Sequence, residues 1–288
     1  MDHISLKAFI AVADTKSFSR AAEQLYITQP AVSKRIKALE EFLDTKLLDR
    51  SGHTALLTAQ GEELYRRARI ILGEIDDAKK AIDNLSENIA GTLSMGTSHH
   101  IGLHRLPKLL QLYVNSYPNV RPQISFIGSE EVYSCVDNGE LDLGIVTLPP
   151  HENPMISQIE LWDDPLVFVI GKDHSLLEQK PLTLCDLVDI TAILPAKNTF
   201  TRSLVEELFE KEGLSIDINI ETNYLETIKK MVSIGLGWSV LPRTMIDDEI
   251  RAIPIECPIS RKLGVVFNKN RTLSNAARVM LELLQSGQ

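Results

Sequence analysis

The chain has 288 residues, 44% of them hydrophobic and 24% charged, which is the composition of an ordinary globular protein with room for two or three compact units. Its net charge of −9 excludes nucleic-acid binding over the whole surface. Residues 1–56 hold 8 Lys+Arg against 7 Asp+Glu and the remainder 22 against 32, so the acidic excess lies outside the N-terminal segment, where any DNA contact must be local.

Residues 1–13, MDHISLKAFIAVA, put Asp2 and His3 ahead of a short apolar run and read as an amphipathic helix with Leu6, Phe9, Ile10 and Ala13 inward. This is no signal peptide, and no apolar stretch reaches the length of a membrane span. Cys135, Cys185 and Cys257 are odd in number and far apart, which opposes a disulfide framework. A cytoplasmic protein is expected.

Residues 17–50, SFSRAAEQLYITQPAVSKRIKALEEFLDTKLLDR, form the most informative stretch. Ala31, Val32, Ile36, Leu39, Phe42 and Leu43 recur at three- and four-residue steps, predicting a helix with one buried stripe. Thr28 or Gln29 stands at its N-cap, and Pro30 lies in the first turn, where its missing N–H costs nothing. The other face carries Gln29, Ser33, Lys34 and Lys37, with Arg35 nearby. Ahead of it, Ala21, Ala22 and Leu25 predict a short helix and a turn at Tyr26 and Ile27. The pair reads as a helix-turn-helix whose second helix presents its N-terminal side chains to DNA base edges. A merely solvated face would mix signs, and this first turn carries no acid.

Residues 47–58 predict a two-stranded wing turning at Ser51-Gly52, with Arg50, His53 and Thr54 near the tip, placed to meet phosphate or the minor groove. From Thr58 onward Leu57, Gly61, Leu64, Ala68, Ile71, Ile75, Ala78, Ile82, Leu85 and Ile89 alternate at steps of four and three. The expected helix over 58–90 is closed by Gly91 and spans roughly 45 Å at 1.5 Å per residue. A second copy is the economical cover for so long a stripe, so Leu64, Ile71, Ala78 and Leu85 are read as a dimer seam.

Beyond Gly91 strands and helices alternate. Strands are expected over 92–97, 121–127 and 141–147, helices over 106–117 and 130–138. A second series has strands over 166–170, 191–194, 216–221 and 238–241 and helices over 201–212 and 225–234. A strand over 263–267 and a helix over 276–284 close the chain. Apolar strands separated by helices imply a parallel sheet covered on both faces, here as two α/β subdomains with a cleft between them.

The run AAEQLYITQPAVSKRIKALEEFLDTKLLDR resembles the winged helix-turn-helix signature of LysR-type transcriptional regulators in its Thr-Gln-Pro opening, Leu-Glu-Glu middle and Leu-Leu-x-Arg exit. DLGIV, DDPLVFVIGKDHSLL and VSIGLGWSVLP look like that family's effector domain. The fold class implied is α/β, with an N-terminal winged helix-turn-helix (1–58), a dimerising linker helix (59–91) and a two-subdomain effector domain like a periplasmic solute-binding protein. Its subdomains would be 92–162 with 264–288, and 163–263, with chain crossings near 162–165 and 257–263. Carried over by position, Gln29, Pro30, Ser33 and Lys34 match the family's groove-facing residues, although Lys34 stands where Arg is common and Arg35 where an uncharged residue is common. The resemblance further implies promoter DNA with dyad half-sites, a homodimer or dimer of dimers, a small-molecule effector, commonly a carboxylate, and RNA polymerase as a further candidate partner. No cofactor is implied.

Hydroxyl-bearing strand ends supply the candidate effector site: Thr97, Ser98 and His99 after the first strand, Ser129 after the second and Thr147 after the third. Asn198, Thr199, Phe200 and Thr201 approach from the second subdomain. Helix capping is the competing reading of Ser98 and Thr199. His100 and His104 share a helix face at i, i+4, but the sequence shows no third metal ligand and Pro107 disturbs the helix, so no metal site is assigned. There is no GxSxG, P-loop, HExxH or Rossmann fingerprint, which opposes an enzyme. Gly235-Leu236-Gly237 reads as a helix terminator. A solute-binding protein would suit the last two thirds alone and a nucleoid-type binder the first segment alone; only an effector-responsive regulator uses both.

Overall fold

The computed structural model describes residues 1–49, 54–86, 88–178 and 181–287. The chain divides into two compact units, Met1–Leu85 and Ser86–Gln288.

In the first unit α1 (His3–Thr15), α2 (Phe18–Gln24) and α3 (Gln29–Leu43) pack around one core. Leu6, Phe9, Val12, Val32, Ile36 and Leu39 are buried, while Ile10 and Ala13 are only half-buried. Each large side chain so enclosed contributes roughly 1.5–3 kcal/mol. The expected inward position of Phe42 is corrected: it is 64% exposed, because α3 ends one residue later and Asp44 takes a left-handed conformation (φ 49°). β1 (Leu48–Asp49) and β2 (Leu56–Leu57) pair antiparallel as the base of the wing. Its tip, with Arg50 and His53, lies outside the described residues.

α4 (Ala59–Asp83) is capped by Thr58, whose hydroxyl accepts from the Gly61 amide. It stops short of the expected Ala90. Asp83, Asn84, Ser86 and Asn88 are weak helix formers, and Gly91, at φ 104°, opens a strand instead of closing this helix.

The second unit is built on a seven-stranded sheet and a separate two-stranded parallel one. β3 (Gly91–Thr97) lies between β4 (Val120–Phe126) and β5 (Leu143–Thr147), parallel to both. Between these strands run α5 (His99–His104), α6 (Pro107–Ser116) and α7 (Ser129–Asp137). Then comes β6 (Ile156–Gly171), 16 residues long. β7 (Ala192–Leu194), α8 (Phe200–Lys211), β8 (Ile218–Glu221), α9 (Leu225–Ser233), β9 (Ser239–Pro242) and β10 (Ile250–Ala252) build the second subdomain. β11 (Ile259–Asn268) and α10 (Asn275–Ser286) return to the first.

The sheet order is β10-β6-β11-β5-β3-β4, with β9 also on β6. The expectation of a purely parallel sheet is therefore corrected: β11 is antiparallel to β5 and β6, and β9 and β10 are antiparallel to β6. The chain segments at the expected crossings are strands. Residues 162–165 lie inside β6 and residues 259–263 inside β11, paired residue for residue from Ile259↔Leu166 to Leu263↔Trp162. The two connections hydrogen-bond to each other and so read as strand throughout. The register shifts between Leu263 and Gly264, where a Cβ on Gly264 would lie 2.4 Å from the Ile159 carbonyl.

Separate cores lie on either side of this paired connection. Met95, Tyr113, Ile145, Val265 and Met280 fill the first subdomain, and Phe168, Phe209, Trp238 and Val240 the second. The helix end at 234–237 is as expected: Gly235 sits at φ 84° and the amides of Gly235 and Leu236 return to the carbonyls of Val232 and Met231.

Candidate functional site

In the first unit the candidate DNA surface is the start of α3. Thr28 is the N-cap but makes no side-chain cap, and Gln29 and Pro30 open the helix. Gln29, Pro30 and Lys34 are exposed, whereas Ser33 and Arg35 are half-buried. The Gln29 amide donates to the Ser33 hydroxyl at 3.0 Å, holding two hydrogen-bonding groups on one face. Tyr26, in the preceding turn, is 95% exposed with φ 53°.

Behind this surface, buried Glu40 accepts from the amides of Leu47 (2.9 Å) and Leu48 (3.4 Å) and pairs with Lys46 (3.4 Å). A carboxylate of α3 thus ties the helix to the wing, a role the stripe pattern could not show because Glu40 neighbours Leu39 on the inward side.

The four seam residues fare differently. Leu64 is half-buried against the core of its own unit, as is Leu72, with Ala68 fully enclosed. Leu85 lies past the helix end. Ile71 and Ala78 remain on an exposed stripe, together with Ile75 (50%) and Ile82 (69%).

In the second unit a narrow cleft, about 440 Å³ including its open mouth, separates the subdomains. Ser98, Ser129 and Thr147 line it from one side and Thr199 from the other, as the sequence suggested. Ser98 begins α5 without a side-chain cap, so capping does not account for it. Ser129 Oγ accepts from the Thr147 amide at 3.0 Å. Thr199 does cap α8, accepting from the Arg202 amide and donating to the Ala196 carbonyl.

Three expectations need correction. Thr97 is fully buried and spends its hydroxyl on the Ile145 carbonyl (2.9 Å), because as the last residue of β3 it packs within the sheet. His99 is exposed and does not line the cleft, standing edge-on to Tyr224 (5.4 Å) and Phe126 (6.5 Å). Phe200 offers its backbone, not its ring: its amide donates to Glu130 Oε1 at 2.8 Å, so a carboxylate from the first subdomain sits at the start of α8.

Thr201 lines the cleft as expected; the sequence reading did not place His100, Glu130, Asn223 and Arg261 there, and all four line it. Arg261 is buried, donating through Nε to Asp164 (2.8 Å) and through Nη1 to Thr201 (2.8 Å). A signal existed. Ile259, Arg261 and Leu263 share one face of β11 by two-residue alternation, and Asp164, Leu166 and Phe168 share one face of β6, so both charges were legible as inward. Burial, reinforced by Arg261 and His104, holds His100 down to about 4, leaving its ring neutral near pH 7. Burial pushes Glu226 up, but hydrogen bonds from His104 and the backbone outweigh it and leave the carboxyl below its usual value.

Among the described residues no helix is long and apolar enough to cross a membrane. Residues 4–62 match the family of bacterial regulatory helix-turn-helix proteins of the lysR type, and residues 86–288 the LysR substrate binding domain. The HTH-type transcriptional regulator CbbR of Rhodospirillum rubrum is 33% identical, over 98% of this chain and 95% of that protein. Full-length OxyR from Pseudomonas aeruginosa, solved as a single-substitution variant, has the same fold, at 24% identity and a TM-score of 0.71 over 99% of this chain and 95% of that one. The regulatory domain of CcmR from Synechocystis, solved in complex with 2-PG, matches 68% of this chain and 97% of its own at 26% identity and a TM-score of 0.62. With both domain families matched in order over nearly its full length, the chain belongs to the LysR family of DNA-binding transcriptional regulators.

Proposed function

We propose that this regulator reads a dyad operator through Gln29, Pro30, Ser33 and Lys34 and responds to a small anion held between its effector subdomains, 92–162 with 264–288 and 163–263. The observation that carries the proposal is the cleft itself: hydroxyls of Ser98, Ser129 and Thr199, the Thr147 strand end and the Arg261 guanidinium meet there from both subdomains. Such a set suits a compact carboxylate or phosphate with hydroxyl substituents. The 2-PG complex of the CcmR domain supports that class.

The exposed stripe of α4 supports assembly through Ile71, Ile75, Ala78 and Ile82, and Arg50 and His53 of the wing are further candidate DNA contacts. Two such dimers on a long operator give a homotetramer, and RNA polymerase is the partner through which a regulator of this kind acts. Closure of the cleft shifts the population of effector-domain arrangements and so the contact with DNA.

The test is protection of a dyad promoter fragment by the full chain with and without small phosphorylated or carboxylated acids. Specific protection that changes with one of them supports the proposal. Equal protection of random DNA overturns sequence reading, and a footprint blind to every anion overturns the effector class.

A further inference from the structure

Beside the effector cleft, the structure brings together three side chains that neither DNA reading nor anion binding uses. His100 and His104 stand one turn apart on α5, with ring centroids 4.6 Å apart, and Glu226 reaches them from the first turn of α9 in the other subdomain. His104 Nε2 lies 2.9 Å and His100 Nδ1 3.5 Å from the same oxygen, Glu226 Oε1. One donor atom from each residue can be chosen so that all three lie within 4.8 Å of one another.

We infer that His100, His104 and Glu226 form a site for a divalent transition metal of the zinc class, clasping the two effector subdomains across the cleft.

Tetrahedral ligands on bonds near 2.0 Å stand roughly 3.3 Å apart, a separation that the two imidazole-to-carboxylate distances already approach. The donor chemistry, two imidazoles and one carboxylate, suits zinc, cobalt or nickel and not calcium or magnesium. A hydrogen-bonded bridge alone accounts poorly for the cluster. His100 Nδ1 and Glu226 Oε2 are buried and make no hydrogen bond, although buried polar atoms are rarely left unpaired. His100 is 5% exposed and also lines the cleft, so the site abuts the effector pocket. Three protein donors leave a fourth position for water or for an oxygen of the cleft ligand. Because the ligands come from both subdomains, bound metal favours whichever cleft geometry brings α9 to α5, and regulation would couple to metal supply.

The experiment titrates Zn²⁺ into full-length protein stripped with a chelator, followed by calorimetry, and repeats the titration with Co²⁺, whose visible absorption reports tetrahedral nitrogen and oxygen ligation. One ion per chain is expected, with the affinity falling at least 100-fold in His104→Ala and in Glu226→Gln and unchanged in His151→Ala. Both informative positions are partly exposed, and circular dichroism together with operator binding verifies their fold; His104→Asn serves if His104→Ala misfolds. Wild-type protein that takes up no Zn²⁺, or variants that bind it as tightly as wild type, would overturn the inference and leave the cluster a hydrogen-bonded bridge.

Discussion

Gln29 and Ser33 hold each other at 3.0 Å on the exposed start of α3, so base contact replaces an existing hydrogen bond instead of ordering a free side chain. Gln29→Ala is expected to cost about 1–3 kcal/mol on the cognate operator and little on random DNA, measured by fluorescence anisotropy on both. Equal losses on the two would assign Gln29 to backbone positioning. Lys34 is exposed where Arg35 is half-buried, which favours Lys34 as the outer cation of the pair. Lys34→Ala should reduce the slope of log affinity against log salt by about 1 if it meets a phosphate. Glu40 belongs to stability. Its carboxylate satisfies the amide of Leu47, a residue only 1% exposed, so Glu40→Ala leaves a buried donor unpaired. A loss of about 1–3 kcal/mol in urea unfolding is expected, with weaker DNA binding through the misplaced wing. Unchanged stability would mean that water replaces the carboxylate.

At the scale of elements, α4 illustrates both the reach and the limit of periodicity. Its steps of three and four located the helix, because a 25-residue amphipathic pattern has no competing reading, yet they could not say which part of the stripe is already used. Leu64 and Ala68 are taken up by the unit's own core, and the uncovered remainder begins at Ile71. The informative substitution therefore moves along the helix: Ile75→Glu, or Ile82→Glu, puts a charge on the exposed stripe without touching the monomer's core. Light scattering should show a smaller assembly for a folded variant, and half-site binding should weaken accordingly. The wild-type mass in both variants would place the interface elsewhere. The extent and pairing of β6 and β11, of which only 166–170 and 263–267 read as strand, escaped the sequence reading for the opposite reason. Residues such as Trp162, Asp163, Asp164 and Pro165 look like a connection, and only the partner strand, about 100 residues away, makes them a sheet.

At the scale of the whole effector unit, hydroxyls at strand ends were legible because a strand end followed by a helix is visible in the chain order. What decides between Thr97 and Ser98, or His99 and His100, is a rotation of one residue that only packing fixes. Glu130 was hidden more deeply, since its meaning depends on α8, 70 residues on. Its Oε1 receives the Phe200 amide at the positive end of α8, where an anionic effector would also be stabilised. The carboxylate joins the subdomains and would compete with an anion bound at the start of α8. Glu130→Gln keeps a carbonyl acceptor for the Phe200 amide but removes the charge, so the repulsion felt by an entering anion falls while the inter-subdomain contact is retained. Binding of inorganic phosphate should tighten by about tenfold, equivalent to about 1.4 kcal/mol, in calorimetric titration of the full chain. An unchanged affinity would show that the anion does not use the start of α8. A weaker one would make Glu130 itself a ligand-binding group and turn the search toward effectors that donate hydrogen bonds or carry positive charge.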